Sequence, residues 1–332
     1  NDTVILDRPT ADITVTLGSG TYGIRKFYVR ETFAMTGGSL TMNYVPVAES
    51  TPMTMQVSAS TSISGNASLS AHTILVDAAR RLTAGNANLT FDTLTLSRGT
   101  SSATFALSGS VAIAGTSGST AKILSGTGTA AAGSVDLTGG SRTISVANGL
   151  AAIDLQIGVP VVNGGLVKAG LGTLQLTATS TYSGTTSILG GVLALGTTGA
   201  IASSPLVSVG SGATFDVTQK SGGLTVGSGQ TLGGAGTVLG SITFGRGSTL
   251  SPGATSVASG LAMTAGGAAF GEPQTIAVPE PAVPAILAAG FAAFALAAVR
   301  RRHRFAEVGH VANWSCSDNF RARQQSRLHR SS

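Results

Sequence analysis

The chain has 332 residues, of which 46 are glycine, 10% are charged and 5% are aromatic. Soluble globular proteins average about 25% charged residues and roughly 7% glycine, so an ordinary globular composition is excluded. Generic disorder is excluded as well, because disordered segments are poor in hydrophobic residues and these make up 42% of the chain. Short apolar runs separated by small turn residues predict instead a β-rich fold of many short strands.

The net charge of +6 comes entirely from the C-terminal end of the chain. Residues 1–281 contain 12 Lys or Arg and 12 Asp or Glu, whereas residues 300–332 contain 8 Arg and 2 acidic residues. A nucleic-acid-binding domain would carry basic and aromatic residues over one folded face, so this class is excluded for the body. The one cysteine, Cys316, lies in the same end, which leaves the body without a disulfide or a cysteine-based metal site.

From about Thr3 to Thr264, many short segments alternate between apolar and small polar residues. This period of two indicates strands with one buried face. Pairs of glycine such as Gly139-Gly140 and Gly164-Gly165 mark tight turns between them. The predicted strands, in chain order, include Ile13–Leu17, Leu89–Leu96, Thr143–Val146, Thr173–Thr177, Val192–Leu195, Ala213–Val217, Ser241–Phe244 and Ser248–Leu250.

The small number of aromatic residues limits how these strands can form a core. A thick β-sandwich core would be hard to fill, whereas a solenoid stacks one short unit on the next around a narrow core of Val, Leu and Ile. Strand-and-turn units recur about every 20–25 residues from Gly165 onward, which fits such stacking. The sequence therefore predicts an all-β solenoid body over residues 1–265, with a β-sandwich as the alternative.

One stretch of the body, Gly164–Gly196, reads GGLVKAGLGTLQLTATSTYSGTTSILGGVLALG. It resembles the autotransporter-associated β-strand repeat, in which GGLxKxGxGTLxL precedes a Thr-Tyr-Ser-Gly-x-Thr turn and a GGxLxLG ending. Ser141–Val162 and Leu232–Gly253 resemble the lead-in and closing turns of passenger-like proteins, whereas residues 1–130 are similar in composition only. The resemblance implies a right-handed parallel β-helix on the outer surface or in the extracellular matrix, and it implies no particular ligand. The matching residues include Lys168, Gly170, Gly172, Thr173, Leu174, Leu176, Tyr182, Ser183, Gly184, Thr186, Gly191 and Leu193.

The polar residues of the body do not form a recognisable active-site pattern. Its acidic residues occur singly and are expected at solvated turns or edges, although stacking could bring Asp136 and Asp154 together. His72 is predicted to be a surface residue, because a general base needs partners, and Tyr182 is predicted to cover a turn or cap the core. The scattered aspartates are Asp77, Asp92, Asp136, Asp154 and Asp216.

The glycine-rich stretches do not predict a ligand site either. They lack the Gly-Lys-Ser/Thr and the helix of a phosphate-binding loop. In Gly233–Thr237, threonine stands where a calcium-binding repeat has its aspartate. No cofactor, no metal and no enzyme activity are therefore expected.

The C-terminal part has three features in a definite order. Val278-Pro279-Glu280-Pro281 is followed by the uncharged stretch Ala282–Val299 and then by Arg300-Arg301-Arg302-His303-Arg304. As a helix the uncharged stretch would be about 27 Å long, close to the roughly 30 Å of a hydrocarbon core. Arginine is costly to translocate, so the cluster should stay in the cytoplasm and leave the body outside. A buried globular helix, the alternative, would not explain the arginine block.

This arrangement resembles the PEP-CTERM sorting signal of Gram-negative bacteria, which an exosortase is thought to process. The resemblance implies a linker with the motif at 266–281, a single transmembrane helix at 282–299 and a stop at 300–304. Family members end soon after the arginines, whereas this chain continues with an atypical basic tail, 305–332, which is either a read-through or frameshifted extension or a genuine cytoplasmic segment. The implied motif residues are Val278, Pro279, Glu280 and Pro281, and the implied membrane-stop residues are Arg300, Arg301, Arg302 and Arg304.

Together these features predict an exported, non-enzymatic protein with a structural or adhesive role. Its expected location is the cell envelope, anchored in the membrane, and then the cell surface or extracellular matrix. The expected partners are the membrane, an exosortase-type processing enzyme and exopolysaccharide, and not nucleic acid. Two alternatives stay open: a carbohydrate-active β-helix enzyme, which would cluster Asp on one face, and an autotransporter passenger fragment, which would need a C-terminal barrel that this sequence lacks.

Overall fold

A computed structural model describes residues 3–7, 13–42, 54–97, 101–127 and 132–252, and the backbone of 262–265. All of these belong to one compact unit, Asn1–Ala277, and the second unit, Val278–Ser332, lies outside the described residues. The sorting motif, the transmembrane helix and the arginine stop therefore stay predictions. In the described ranges, no helix is long and apolar enough to cross a membrane.

The described residues form short strands, together with one 3-10 turn at Thr116–Gly118. The first sixteen strands are β1 Thr3–Leu6, β2 Thr14–Leu17, β3 Thr21–Ile24, β4 Lys26–Val29, β5 Thr32–Met35, β6 Ser39–Met42, β7 Thr54–Val57, β8 Thr61–Ile63, β9 Ser68–Ser70, β10 Thr73–Val76, β11 Arg81–Ala84, β12 Ala87–Thr90, β13 Thr93–Leu96, β14 Thr104–Leu107, β15 Val111–Ala114 and β16 Ala121–Ser125. The others are β17 Ser134–Asp136, β18 Ser141–Val146, β19 Leu155–Ile157, β20 Val161–Val162, β21 Gly165–Ala169, β22 Thr173–Leu176, β23 Thr186–Ile188, β24 Val192–Leu195, β25 Leu206–Val209, β26 Thr214–Asp216, β27 Leu224–Val226, β28 Thr231–Gly234, β29 Thr237–Leu239, β30 Ser241–Phe244, β31 Thr249–Pro252 and β32 Ala262–Ala265.

Up to β21, successive strands go to three sheets in rotation, so that each turn of the chain adds one strand to each sheet; from β22 to β26 the chain alternates between two of these sheets. Sheet A contains β1, β4, β7, β10, β13, β16, β19, β22, β24, β26 and β29; sheet B contains β2, β5, β8, β11, β14, β17 and β20; sheet C contains β3, β6, β9, β12, β15, β18, β21, β23, β25, β28 and β31. A short sheet D of β27, β30 and β32 follows.

The described strands pair in parallel throughout these sheets. Long parallel sheets that are built up turn by turn are the arrangement of a β-solenoid, so the predicted all-β solenoid is confirmed. The alternative, a β-sandwich of antiparallel sheets, is wrong for this body. The right-handed sense of the winding stays a prediction.

The solenoid also includes the N-terminal residues, whose sequence resembles the repeat only in composition. Thr73 faces Thr93 across neighbouring strands of sheet A, which makes that turn 20 residues long. The turn from Lys122 to Gln156 is longer, at 34 residues, and the next, from Gln156 to Gln175, has 19. Strand register is kept while the turn length changes, because extra residues are accommodated between strands.

A narrow core runs along the axis of the solenoid. In each strand alternate side chains point inward and stack on the equivalent side chains of the next turn. Burying one such Leu or Ile contributes about 1.5–3 kcal/mol, and the stack repeats this at every turn. One fully buried column in sheet A consists of Ile74, Leu94, Ile123, Ile157, Leu176 and Leu195.

The single strand predicted over Leu89–Leu96 is wrong. The chain turns from sheet C to sheet A at Phe91 and Asp92, so that β12 ends and β13 begins within this segment. Phe91 is fully buried at the turn, and the N–H groups of Asp92 and Thr93 both donate to the carbonyl of His72 on the previous turn. Because inward and outward residues keep alternating through the corner, the sequence pattern does not reveal it.

Glycine is required where successive turns approach closely. Gly164 has a φ of +118°, and a Cβ there would lie 2.3 Å from the carbonyl oxygen of Gly140. Gly139 also has a positive φ, +77°, but a Cβ there would meet nothing within 4 Å. We expect Gly164→Ala to lower the free energy of unfolding by more than about 3 kcal/mol, and Gly139→Ala by only about 1 kcal/mol. Urea unfolding followed by circular dichroism measures both, and equal losses would contradict the close approach.

Candidate functional site

The turns that lead from sheet C to the next strand of sheet A stack along one edge of the solenoid. Among the described residues, the two buried charged side chains, Asp154 and Lys168, both bind the backbone of these turns. We call this stack of turns the C–A edge, and it comprises residues 71–72, 91–92, 115–120, 147–154, 170–172 and 189–191.

Lys168 lies on the inward face of β21, and its side chain has no exposed surface. Its ammonium group donates to three carbonyl oxygens, those of Ala169 at 2.8 Å, Gly170 at 2.9 Å and Gly190 at 3.0 Å. An ammonium group has three donors and no acceptor, so this arrangement satisfies it completely. Because Gly190 belongs to the next turn, Lys168 joins two successive turns of the C–A edge.

The burial of Lys168 has an electrostatic cost. Desolvation lowers the pKa of Lys168 to about 8, although the nearby carboxylate of Asp154 acts in the opposite direction. A lysine in this setting is still mainly charged at neutral pH, but it is much easier to deprotonate than an exposed lysine.

Asp154 binds the backbone of its own turn and of the following one in the same way. One carboxylate oxygen accepts the N–H of Gly149 at 2.6 Å, and the other accepts the N–H of Thr173 at 2.7 Å. Only 3% of Asp154 is exposed, so the predicted solvated position is wrong for this residue. The carboxylate is stable there because both of its oxygens receive hydrogen bonds.

A histidine–carboxylate pair lies further along the same edge. His72 Nδ1 is 2.6 Å from a carboxylate oxygen of Asp92, while the other oxygen accepts from the hydroxyls of Thr116 and Ser119. Burial alone would raise the pKa of Asp92, but the hydrogen bonds from Ser119, Thr116 and His72 outweigh it and hold the pKa below its usual value.

These contacts decide what the pair can do. His72 is partly exposed, which confirms its predicted surface position, but the sequence did not reveal its partner. The described hydroxyls bind the carboxylate and not the imidazole, so the group is not arranged as a nucleophile next to its base. It holds three successive turns together.

The other aspartates bind groups near them in separate parts of the solenoid. Asp77 accepts from Gln56 and Ser58, and Asp216 accepts from Thr218. Their role as turn or edge residues is consistent with the expectation from sequence.

Asp136 and Asp154 are not brought together. Asp136 ends a strand of sheet B, where it lies 3.3 Å from Arg81 and accepts from Asn163, whereas Asp154 lies on the C–A edge. Arg81 thus joins two turns through this carboxylate. The clustering that a carbohydrate-active enzyme would need is not seen for these two residues.

Tyr182 fills the core where sheet B ends. Its side chain is buried, and its hydroxyl lies 2.7 Å from that of Thr186, which in turn bonds Ser204 at 2.9 Å. Desolvation raises the pKa of Tyr182, so the phenol stays protonated as a neutral donor. The predicted core-capping role is confirmed, since no ring face is left open to stack on a sugar.

The described residues hold no group of three or more His, Cys, Asp or Glu that could bind a metal. The predicted sorting residues, Val278 to Pro281 and Arg300 to Arg304, lie outside the part of the chain that the structure describes. What sequence reasoning missed is the burial of Lys168 and Asp154. A lysine between apolar residues in a strand, as in Leu-Val-Lys-Ala, was the available signal.

One known repeat family matches a part of the chain that includes turns of the C–A edge. The model of the passenger-associated-transport-repeat matches residues 166–195, which include Lys168 and two of the stacked turns. Neither curated proteins nor solved structures gave a significant match. The match supports the predicted autotransporter-associated repeat and indicates a passenger-like domain of the secreted or cell-surface type.

Proposed function

We propose that this chain is an exported, non-enzymatic β-solenoid that serves as a structural or adhesive component of the cell surface or extracellular matrix. The observation that carries the proposal is the passenger-associated repeat at 166–195, which continues the same parallel sheets as the turns before and after it. A solenoid of stacked parallel strands suits a surface scaffold.

The contacts of the polar side chains support a role without catalysis. Asp92 and Asp154 use their carboxylate oxygens to hold turns together, and the buried Lys168 binds only backbone carbonyls in the described contacts. A general acid or base must reach a substrate atom, and the two buried groups are already fully bonded within the fold.

The outward positions of the solenoid support contact with polysaccharide in the matrix. Ser and Thr recur along them, for example Thr73, Thr93 and Thr95 on sheet A. Hydroxyl groups can donate and accept hydrogen bonds, as sugar hydroxyls do. Exopolysaccharide is therefore the proposed environment of the mature body.

The C-terminal part supports the route by which the body would reach the surface. The prolines of the motif, Pro279 and Pro281, would keep the chain extended before the membrane, where a processing enzyme could reach it. The uncharged stretch 282–299 would hold the precursor in the membrane until an exosortase-type enzyme acts on it.

Expression of the full chain in Gram-negative hosts with and without an exosortase tests this proposal. With the enzyme, we expect the body outside the cell and a C-terminus, by mass spectrometry, that ends near Pro281; without it, we expect an intact chain in the membrane fraction. Replacement of Glu280 by Gln in the motif should abolish processing. The matched control, Glu272→Gln in the linker, should leave processing intact. An intact C-terminus that includes Trp314 in both hosts would overturn the sorting route.

A further inference from the structure

Exposed leucines are concentrated on three consecutive turns of the C–A edge. Six large hydrophobic side chains are exposed among the described residues, and three of these are Leu150 (94%), Leu171 (78%) and Leu189 (62%). Each lies in the turn that joins neighbouring strands of sheets C and A, so they follow one another along the axis. We call these three side chains the leucine ridge.

The backbone beneath the leucine ridge is held by both buried charges. Asp154 binds the N–H of Gly149, which directly precedes Leu150, and the N–H of Thr173, which lies two residues after Leu171. Lys168 binds the carbonyls of Gly170 and Gly190, which are adjacent to Leu171 and Leu189. Burying charge is costly, and here it fixes the turns that present apolar side chains to solvent. A surface held rigid in this way loses little entropy when a partner binds.

A groove lies directly beside the ridge. Its volume is about 640 Å³, and it runs across the ends of three strands of sheet C, β12, β15 and β18, to Leu171 in the turn after β21. The rest of its lining is neutral and includes small residues such as Thr90, Ala114 and Ala147. A leucine side chain from another surface can enter such a groove without leaving a charge unpaired.

The outward positions of sheet C next to the groove carry no charge, and the partly exposed Arg142, near the other end of β18, binds the Leu137 carbonyl and the Thr138 hydroxyl. From β6 to β23, the outward positions of this sheet hold only Ser, Thr, Asn, Ala, Gly and Val. The other two long sheets, A and B, do carry outward charges, such as Lys122 on sheet A and Arg81 on sheet B. Seven strands at about 4.8 Å make this neutral face about 30 Å long.

We infer that the leucine ridge and the adjacent groove form a docking surface for a second copy of this chain. A two-fold axis would place the ridge of each copy in the groove of the other, as in an isologous dimer. Neutrality favours this occupant, because a charged partner finds no opposite charge here and a copy of the same face meets no repulsion. The inference does not depend on the C-terminal sorting signal.

Disulfide trapping in the full chain tests the geometry. In a Cys316→Ser background, two differently tagged forms are co-expressed, one with Leu171→Cys on the ridge and the other with Ala114→Cys in the groove, and the cells are treated with a mild oxidant. We expect a cross-linked heterodimer on a non-reducing gel. The matched control uses Ile5→Cys in place of Leu171→Cys. Ile5 is also exposed, at 53%, but it lies on β1, far from the ridge in the sequence. The Ile5→Cys form should not cross-link to the Ala114→Cys form.

A second variant separates specific docking from other association. This triple variant combines Leu150→Ser, Leu171→Ser and Leu189→Ser. Its circular dichroism spectrum should be unchanged, because the three side chains are exposed. Cross-linking is then followed between a form with Ala151→Cys, next to Leu150 on the ridge, and a form with Ala114→Cys in the groove, and the triple change should lower it at least about tenfold. Equal trapping by Ile5→Cys, undiminished trapping in the triple variant, or no trapping at all would overturn the inference. So would ridge-dependent binding to neutral lipid vesicles without self-association.

Discussion

Replacing Lys168 by methionine is expected to lower the free energy of unfolding at pH 7 by about 3 kcal/mol, because it leaves three buried carbonyl oxygens without donors. Methionine has a similar length and fills the same space, so the loss reports the hydrogen bonds of the ammonium group and not a cavity. The matched control is Lys122→Met on the outer face of β16, where the side chain is exposed; it should change stability by less than about 0.5 kcal/mol. Urea unfolding followed by circular dichroism measures both variants.

The same pair of proteins should differ in pH dependence. The folded pKa of Lys168 is about 8, whereas an unfolded lysine titrates near 10.4. Between these values the unfolded state binds more protons, so the free energy of unfolding of the wild type should rise with pH from about 8 to about 10, by roughly 2–3 kcal/mol. Above about pH 10 the contribution of Tyr182 reverses the trend, because its raised folded pKa keeps it protonated while the unfolded tyrosine ionises.

Lys168→Met should lack the rise between pH 8 and pH 10. Lys122→Met should keep it, since Lys168 is intact in that variant. A flat profile in the wild type, or the same rise in all three proteins, would show that Lys168 is not the group that titrates. A gain in stability on Lys168→Met at pH 7 would show that the cost of burying the charge exceeds the value of its three hydrogen bonds.

The second large effect is expected for Asp154→Asn, at about 3 kcal/mol. Each carboxylate oxygen of Asp154 accepts one backbone N–H, from Gly149 and from Thr173. The asparagine amide offers one oxygen only, so its NH₂ group would face a second N–H group and leave it unsatisfied in a buried position. Loss of the carboxylate also removes the charge that keeps the pKa of Lys168 from falling further, so the two effects add.

The control for this substitution is Asp216→Asn. Asp216 accepts the N–H and the hydroxyl of Thr218 with the same oxygen, Oδ1, and asparagine can reproduce both bonds. Its cost should therefore stay below about 1 kcal/mol in the same urea experiment. Equal costs for Asp154→Asn and Asp216→Asn would mean that the second carboxylate oxygen of Asp154 does not matter.

The C–A edge connects these energetic predictions with the proposed interface. The turns that Lys168 and Asp154 hold are the turns that expose the leucine ridge, so either substitution should weaken self-association as well as stability. The triple leucine variant should act differently and lower association alone. Comparing the two classes of variant separates the support of the ridge from the ridge itself.

Period-two alternation and abundant glycine were enough to predict an all-β solenoid. Inward and outward residues alternate along each strand, and this pattern does not depend on which strands lie next to it in the sheet. The residues of the repeat, from Lys168 to Leu193, were also sufficient to predict a passenger-like domain, and the family match at 166–195 agrees. These properties are local, since each depends on residue order within one turn.

The tertiary structure alone decided which residues of different turns meet. It placed a corner inside Leu89–Leu96, separated Asp136 from Asp154, and aligned Leu150, Leu171 and Leu189 on one edge. Turn length varies from 19 to 34 residues between neighbouring strands of sheet A, so no fixed spacing in the sequence reveals these contacts. The burial of Lys168 and Asp154 follows from the same stacking, because their hydrogen-bonding partners belong partly to the neighbouring turn.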